Sequence, residues 1–117
     1  EERPHVFGDG EQSRDFTYVA NVVEANLRAV EASPDAVGEV FNIACGERTT
    51  VNALLREIGE LTGRSVEPFY DDPRTGDVRH SSADISKAIR FLGFSPQVGF
   101  KQGLKRTVAW FRERSLG

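Results

Sequence analysis

The sequence predicts an α/β lobe in which four helices lie beside two or three short strands. Apolar residues recur at helical spacing in several separate segments, and short apolar runs bounded by glycine or proline lie between those segments. No strand–helix–strand unit is long enough to build its own parallel sheet. Because a chain of 117 residues has the length of one domain, we expect residues 1–117 to form a single domain.

The first half contains one predicted helix and one predicted strand. Five apolar residues recur at helical spacing and predict a helix over about residues 18–32. These residues are Val19, Val22, Val23, Leu27 and Val30. Ser33-Pro34 ends this helix. A mostly apolar run over residues 40–45, closed by Gly46, predicts a buried strand.

Two helices with recognisable ends are predicted in the second half. Thr50 is a suitable N-cap for a helix that Gly63 closes at the usual C-terminal position. We expect Asp84 to cap a helix that runs to about Phe91 and stops at Gly93.

A strand and a last helix complete the predicted elements. The strand covers residues 66–70, where Pro68 favours the edge of a sheet because proline cannot donate a backbone hydrogen bond. The last helix is indicated by apolar residues at Phe100, Leu104, Val108 and Phe111. Gly103 is a weak point within it.

Composition bounds the function. The 15 Lys and Arg residues against 18 Asp and Glu residues give a net charge of −3, which argues against nucleic acid as a partner. No apolar run approaches the roughly 18 residues that a membrane span requires. The single cysteine, Cys45, excludes an internal disulfide and favours a reducing cytoplasm.

Two segments carry candidate binding residues. In the first, Arg74 and Asp77 lie on either side of Gly76, so a guanidinium fork for phosphate and a carboxylate for neighbouring hydroxyls stand three residues apart. This spacing suits a nucleotide, although a solvated turn with an incidental Arg–Asp pair would show the same residues. In the second, the turn Phe7-Gly8-Asp9-Gly10 precedes Arg14.

Together these segments resemble the extended short-chain dehydrogenase/reductase family, in particular the NAD-dependent nucleotide-sugar 4-epimerases that act on UDP-glucose or UDP-N-acetylglucosamine. The resemblance rests on Gly-Asp-Gly-Glu-Gln-Ser-Arg-Asp-Phe and Arg-x-Gly-Asp-Val-Arg-His-Ser-x-Ala-Asp-Ile-Ser-Lys-Ala. It extends in the family's order to three further segments, which are Glu39–Gly46, Thr49–Leu54 and Leu92–Phe94.

Two family motifs are missing from this chain. It has neither the Gly-x-x-Gly-x-x-Gly turn that cradles the NAD pyrophosphate nor a Tyr-x-x-x-Lys pair, since the residues four beyond Tyr18 and Tyr70 are Val22 and Arg74. The resemblance therefore implies the C-terminal, substrate-binding portion of such an enzyme. NAD would be bound by a Rossmann domain absent from this chain. A first residue that is not Met also suggests a piece of a longer protein, and we expect the piece to be inactive alone, with no catalytic or metal-ligating residue.

The resemblance also implies roles for individual residues. Arg14 and Arg74 would contact the diphosphate of a UDP-sugar, and Asp77 would hold the ribose hydroxyls. The main chain of His5, Val6 and Phe7 would read the uracil edge. His5 is not expected to be a catalytic base, because nothing near it in sequence supplies an orienting carboxylate. Without the family, Arg14 would be interpreted as a surface residue paired with Asp9 or Asp15.

Ser81 is the position that the resemblance connects with sugar size. In the family, a large aromatic residue at this position is associated with plain hexose substrates, and a small residue is associated with substrates that carry an N-acetyl group. The reason is volume, because a tyrosine ring and an acetamido group cannot share one pocket. Ser81 favours N-acetylhexosamines without excluding UDP-glucose. The alternative is an ordinary loop serine.

One departure from the family and several alternatives remain. Where many relatives read Tyr-Val-Asp-Asp-Val, this chain has Ala20 and Asn21 at the acidic positions, which puts one partner of Arg14 in doubt.

The lobe could belong to a 4,6-dehydratase or a decarboxylase, or act as a non-catalytic nucleotide-sugar-binding or interaction module. We expect apolar surface that is exposed without the missing domain, or protected by self-association.

Overall fold

The structure, a computed structural model, describes residues 2–115. It confirms the α/β lobe, in which helices account for most of the regular structure. In chain order the elements are β1 His5–Phe7, β2 Ser13–Arg14, α1 Val19–Val30, a 3-10 turn Pro34–Ala36, β3 Thr49–Thr50, α2 Val51–Thr62, β4 Phe69–Asp71, α3 Ser86–Leu92 and α4 Phe100–Ser115.

The strands form two separate two-stranded sheets. In the first, β1 and β4 run parallel, with His5 beside Phe69 and Phe7 beside Asp71. In the second, β2 pairs antiparallel with β3. The parallel pair joins segments from opposite halves of the chain, so it fixes the long loop that follows β4 beside the amino-terminal strands.

Both predicted ends of α2 and the predicted end of α3 agree with the structure. The Thr50 hydroxyl accepts a hydrogen bond from the Ala53 N–H at 3.1 Å, and Gly63 ends α2 with a φ of 67°. The predicted cap of α3 is displaced by one residue, because the N-cap is Ile85 and Asp84, the residue before it, accepts from the Ser86 N–H at 2.9 Å. Gly93 ends α3 with a φ of 61°, a conformation that glycine adopts without strain.

The predicted strand at residues 40–45 is wrong. A strand needs a neighbour for its backbone groups, and this segment has none among residues 2–115. Its end is held by a side chain instead, because the Asp15 carboxylate accepts from the Cys45 N–H at 3.0 Å and from the Gly46 N–H at 2.9 Å. The segment is therefore irregular and is anchored at its end by Asp15.

The strand predicted at residues 66–70 begins later, at Phe69, and ends at Asp71. The residues before it have other partners: the Arg3 guanidinium donates to the Glu67 and Pro68 carbonyl oxygens, each at 3.0 Å. A side chain thus takes the carbonyl groups that a longer strand would have used.

Gly103, predicted as a weak point of the last helix, has a packing role in the structure. It lies buried in α4, where a Cβ atom would stand 2.8 Å from the Tyr18 Cβ. Glycine at this position lets α4 approach the start of α1.

The core is small and lies between α1, α3 and the segment after α3. Its buried residues are Ala25, Ala88, Leu92 and Phe94. The residues of α1 that are buried are Asn21 and Ala25, so the apolar stripe of this helix faces outward. Val19 is 64% exposed, Leu27 60% and Val30 84%. The expected exposed apolar surface is therefore present.

No helix within residues 2–115 has the length and hydropathy needed to cross a membrane. The same residues contain no group of three or more His, Cys, Asp or Glu side chains placed to hold a metal ion.

Candidate functional site

The structure brings the six predicted site residues onto one connected surface. His5 and Phe7 lie on β1, Arg14 ends β2, and the other three, Arg74, Asp77 and Ser81, lie on the loop between β4 and α3. Direct contacts join the strands to the loop. They connect Arg74 to Phe7, Arg14 to Asp77 and Ser81 to the residue before Arg14.

Arg14 and Asp77 form the centre of this surface. The Arg14 Nη2 donates to Asp77 Oδ1 at 2.7 Å and its Nη1 donates to the Ser13 carbonyl oxygen at 2.7 Å. Their side chains are 30% and 34% exposed. This pairing leaves Nε of the guanidinium and the second carboxylate oxygen for a ligand.

The partners that the sequence suggested for Arg14 are engaged elsewhere. Asp9 accepts from Arg79 Nη1 at 2.7 Å, and Asp15 accepts from the N–H groups of Cys45 and Gly46. Although this chain has Ala20 where many relatives have an acidic residue, Arg14 still has a carboxylate partner, which is Asp77.

Arg74 stacks on an aromatic ring. Its guanidinium carbon lies 4.0 Å from the centroid of the Phe7 ring, and it forms no ion pair with the residues that the structure describes. Stacking on a ring occupies the face of a guanidinium and leaves its N–H edge available for an anion. Arg74 is thus placed beside β1 with N–H donors that no described residue uses.

The glycine turn before β2 is held from two sides. Gly10 has a φ of 77°, and a Cβ there would stand 2.0 Å from Asn52 Oδ1. Asn52 Nδ2 donates to the Asp9 carbonyl oxygen at 3.0 Å and to Glu11 Oε1 at 2.7 Å. The hydrogen bond from Arg79 lowers the pKa of the Asp9 carboxyl, so this turn keeps its negative charge.

His5 has a carboxylate neighbour that the sequence did not indicate. Its Nδ1 lies 2.6 Å from Asp71 Oδ2, although the two residues are far apart in the chain. The expectation that nothing orients this ring is therefore wrong in three dimensions, because the β1–β4 pairing brings Asp71 beside it. His5 is 61% exposed, so the contact lies at the rim of the surface.

The main chain of β1 keeps one edge without a strand. Among the described residues β1 pairs with β4 alone, and on the other side the Phe7 carbonyl oxygen accepts from Gln12 Nε2 at 2.8 Å. The remaining groups of this edge are free to meet the edge of a base.

Ser81 is exposed, and its N–H donates to the Ser13 carbonyl oxygen at 3.0 Å. Sequence reasoning missed the side-chain contact beside it, in which Ser13 Oγ lies 2.7 Å from His80 Nδ1. Both residues lie within the two motifs that carry the resemblance, but neither motif indicated that they are in contact.

The concave parts of the lobe lie elsewhere. A groove of about 690 Å³ between α2 and α4 is lined by residues such as Ile58, Leu104 and Val108. A second concavity of about 500 Å³ lies between α2 and the segment before β4. Neither includes any of the six candidate residues, so these residues form an open surface and not a closed pocket. The candidate binding site is this polar cluster and neither of the grooves, because the cluster carries the donors and acceptors that a nucleotide needs.

Cys45 is separate from this surface. Burial raises the pKa of the Cys45 thiol, and the nearby Asp15 carboxylate raises it further. The sulfur accepts a weak hydrogen bond from Asn21 Nδ2 at 3.6 Å. A thiol in this environment is a packing residue.

Comparison with known proteins identifies the family. Residues 1–107 match the profile of the family described as GDP-mannose 4,6 dehydratase, and the chain belongs to this family. A putative UDP-glucose 4-epimerase of Methanocaldococcus jannaschii is 41% identical over 112 residues, a match that covers 96% of this chain and 35% of the relative.

Solved structures agree with this relationship. The UDP-glucose 4-epimerase of Thermotoga maritima, determined with UDP-glucose, superposes with a TM-score of 0.88 and 50% identity, covering 97% of this chain and 36% of that one. The UDP-glucuronic acid 4-epimerase of Bacillus cereus, determined with UDP-glucuronic acid and NAD, gives a TM-score of 0.87 at 30% identity and covers 95% and 36%. The lobe therefore corresponds to the C-terminal lobe of UDP-sugar 4-epimerases.

Relatives with other activities also match. They include a UDP-N-acetyl-α-D-glucosaminuronate decarboxylase of Bacillus cytotoxicus and a dTDP-D-glucose 4,6-dehydratase of Bos taurus, each 34% identical. The chain spans about a third of the length of the relatives that it matches.

Residues 2–115 do not contain the glycine-rich turn of a Rossmann NAD site. The one parallel strand pair within residues 2–115 lacks a glycine-rich turn leading into a helix, since β1 is followed by β2 and β4 by a long loop. No chemical step that uses NAD can therefore be assigned to these residues.

Proposed function

We propose that this chain is the UDP-sugar-binding lobe of an NAD-dependent UDP-sugar 4-epimerase. The observation that carries the proposal is the cluster of Arg14, Asp77 and Arg74. It places two guanidinium groups and one carboxylate on a single surface, from strands and a loop that are distant in sequence. The names and bound ligands of the similar structures support this ligand class.

In this proposal each group of the cluster has one task. Arg14 and Arg74 bind the diphosphate, because a guanidinium can place two parallel N–H bonds on phosphate oxygens. Asp77 accepts from the ribose hydroxyls through the oxygen that Arg14 leaves free. The unpaired edge of β1, from His5 to Phe7, faces the uracil base. Ser81 lines the space for the sugar's 2-substituent.

The arrangement suits 4-epimerisation in particular. Inverting the configuration at C4 requires that the sugar present both of its faces to the same catalytic groups. A site that holds the nucleotide firmly and the sugar weakly allows this rotation. The charged groups of the surface, Arg14, Arg74 and Asp77, all belong to the proposed nucleotide end, whereas the proposed sugar end is represented by Ser81.

We also propose that the exposed stripe of α1 is covered by a Rossmann domain that lies outside this chain and binds NAD. The stripe includes Val19, Val23, Leu27 and Val30, which are between 52% and 84% exposed. A stripe of this kind marks a contact surface, and the chain accounts for about a third of its relatives' length. Self-association through the same stripe is the competing outcome.

A second candidate function rests on the decarboxylase and dehydratase relatives. Anchoring a nucleotide diphosphate serves those reactions equally well, so the cluster does not separate them from epimerisation. A non-catalytic nucleotide-sugar-binding module would use the cluster in the same way.

The test is UDP binding and product analysis with the protein that contains this chain. Calorimetry should show UDP binding that is weakened in Arg14→Ala and Arg74→Ala. Incubation with UDP-glucose or UDP-N-acetylglucosamine and NAD should yield the 4-epimer. Carbon dioxide from a UDP-hexuronate, or a 4-keto-6-deoxy product, would favour the second candidate. The absence of UDP binding would contradict the epimerase and the decarboxylase, and binding of dTDP in its place would favour a dTDP-sugar 4,6-dehydratase such as the relative of Bos taurus.

A further inference from the structure

The main chain of the loop that carries Arg74, Asp77 and Ser81 is attached to β2 through Ser13. Ser13 donates its N–H to the Arg79 carbonyl oxygen at 2.8 Å, and its carbonyl oxygen accepts from the Ser81 N–H at 3.0 Å. Its hydroxyl makes the third contact, with His80 Nδ1 at 2.7 Å. Both main-chain groups and the side chain of Ser13 are therefore used to hold residues 79–81.

The hydroxyl contact joins a buried residue to an exposed one, because Ser13 is buried whereas His80 is exposed. Ser13 is 3% exposed, and a buried hydroxyl without a partner costs free energy. Within residues 2–115 every buried side-chain nitrogen or oxygen has a hydrogen-bond partner, and for Ser13 Oγ that partner is His80. The imidazole can accept from the hydroxyl when neutral and donate to it when protonated, so the contact survives in both states.

The other side-chain contacts of the loop are less durable. Arg79 and Asp9 are 57% and 55% exposed, and exposed ion pairs contribute little. The pair between Arg14 and Asp77 lies on the proposed ligand surface, where a diphosphate competes for the same donors. The Ser13–His80 contact is the one that a bound nucleotide does not have to disturb.

We propose that the hydrogen bond between Ser13 and His80 is a latch that sets the position of the loop, and through it the affinity for the nucleotide. Ser13 and His80 are positioning residues in this inference, which rests on the proposed function. Ser13 precedes Arg14 directly, and His80 lies between Asp77 and Ser81. The latch therefore fixes the distance between the group assigned to the diphosphate and the groups assigned to the ribose and the sugar.

A nucleophilic role for the same pair is excluded by burial. A serine that attacks a substrate must present its oxygen to that substrate, whereas Ser13 is 3% exposed and its oxygen faces His80. The pair connects two segments of the chain, and this is a positioning function.

The test is a double-mutant cycle on the protein that contains this chain, with UDP as the probe and calorimetry as the readout. Ser13→Ala and His80→Ala should each weaken UDP binding by about 2- to 10-fold, the range for one neutral hydrogen bond. The double variant should lose no more than the worse single variant, because the two residues act through one contact. His80→Asn should restore part of the affinity, since its amide can reach Ser13 Oγ.

Hydrogen exchange gives a readout that does not depend on a ligand. The Ser81 amide should exchange faster in Ser13→Ala and His80→Ala, while amides in α2 and α4 keep their wild-type rates. Lys87→Ala is the matched control, because it removes an exposed contact of 2.6 Å to Glu39 on another face. It should change neither UDP affinity nor exchange at Ser81.

The outcomes separate the latch from the proposed function. If UDP binding depends on Arg14 but not on Ser13 or His80, or if the losses from Ser13→Ala and His80→Ala add, the latch is wrong and the proposed function stands. If wild-type protein binds no UDP, both are overturned. Loss of protection throughout the lobe in the two variants would show a general structural role and would also overturn the latch.

Discussion

Arg14 and Asp77 are 63 residues apart in the chain and form an ion pair with 2.7 Å between Nη2 and Oδ1. The two residues that the family resemblance assigned to different parts of a nucleotide thus neutralise each other in this structure. Under the proposed function, a diphosphate and a ribose would share this pair, using Nε of Arg14 and the second carboxylate oxygen of Asp77 that the pair leaves unused.

Removing either arginine should weaken UDP binding. Arg14→Ala and Arg74→Ala are each expected to cost about 1.5–3 kcal/mol, the range for hydrogen bonds to charged groups, which is about 10- to 150-fold in affinity. Lys at either position should restore part of the loss, because it keeps the charge but not the fork. Calorimetry with UDP measures the effect.

Arg90→Ala serves as the matched control for Arg74. The Arg90 guanidinium also lies over a phenylalanine ring, 5.3 Å from the Phe91 centroid, but it is on α3 and outside the candidate surface. It should bind UDP as the wild type does. Wild-type affinity in both Arg14→Ala and Arg74→Ala would mean that these two arginines are structural.

Asp77→Asn tests the ribose contact. Asparagine keeps the shape of the side chain but removes the carboxylate that accepts from two neighbouring hydroxyls. Wild-type protein should bind UDP more tightly than 2′-deoxy-UDP, and the variant should lose most of that preference. The freed Arg14 remains available to the diphosphate, so the variant should still bind both nucleotides. A preference that is unchanged in Asp77→Asn would contradict the assignment.

The sequence predicted those features that depend on local chemistry. Thr50 and Gly63 mark the ends of α2 correctly, because caps are decided by residues within one turn of each other. The strand at residues 40–45 was predicted wrongly, because pairing requires a neighbour that local pattern does not reveal. For the same reason Asp71 was not expected beside His5.

The candidate site shows the same division. The residue types and spacing of Arg74 and Asp77 indicated a nucleotide, but the pairing of Asp77 with Arg14 depends on how two distant segments meet. Ser13 lies within a family motif, but its role was not predicted, because the contact of a buried serine is recognised only when its partner is seen. The assignments of Arg14, Arg74, Asp77 and Ser81 to parts of a UDP-sugar remain predictions.

Asn21 should be important for stability. It is 1% exposed, its Oδ1 accepts from the Gln97 and Val98 N–H groups at 3.1 and 3.0 Å, and its Nδ2 donates to the Val98 carbonyl oxygen at 2.8 Å. Asn21→Ala leaves these main-chain groups without partners and should lower the free energy of unfolding by about 2–3 kcal/mol. Urea denaturation measures the change.

Asn26→Ala is the control for this measurement, since Asn26 lies on the same helix, is exposed, and donates only to the Val22 carbonyl oxygen. Its effect should be well under half of that of Asn21→Ala. Equal losses in the two variants would show that helix propensity, and not the contact with residues 97 and 98, determines the result.

Cys45 should react slowly with alkylating reagents. Burial raises the pKa of its thiol, so at pH 8 a smaller fraction is thiolate than in free cysteine, and the thiolate is the reactive form. Because the chain contains one cysteine, the rate with iodoacetamide reports on this residue alone. The rate should rise to that of free cysteine in concentrated urea. A folded-state rate above that of free cysteine would contradict a packing role.

Ser81 is expected to decide which sugars are accepted. If its side chain lines the sugar pocket, Ser81→Tyr fills the volume that an acetamido group needs. Turnover of UDP-N-acetylglucosamine should then collapse while turnover of UDP-glucose survives. The loss can exceed the ~1–3 kcal/mol that a missing methylene is worth, because a packed site does not yield to added volume.

The measurement requires the enzyme that contains this chain, with NAD present, assayed on both substrates before and after the change. Ser82→Tyr is the matched control, because Ser82 is the exposed neighbour of Ser81 and carries the same added ring, so it should leave the ratio of the two turnovers unchanged. An equal loss on both substrates in Ser81→Tyr would indicate damage to the fold, which urea denaturation would detect independently. An unchanged ratio in a stable Ser81→Tyr protein would mean that Ser81 does not face the sugar, and the preference for N-acetylated sugars would lose its physical basis.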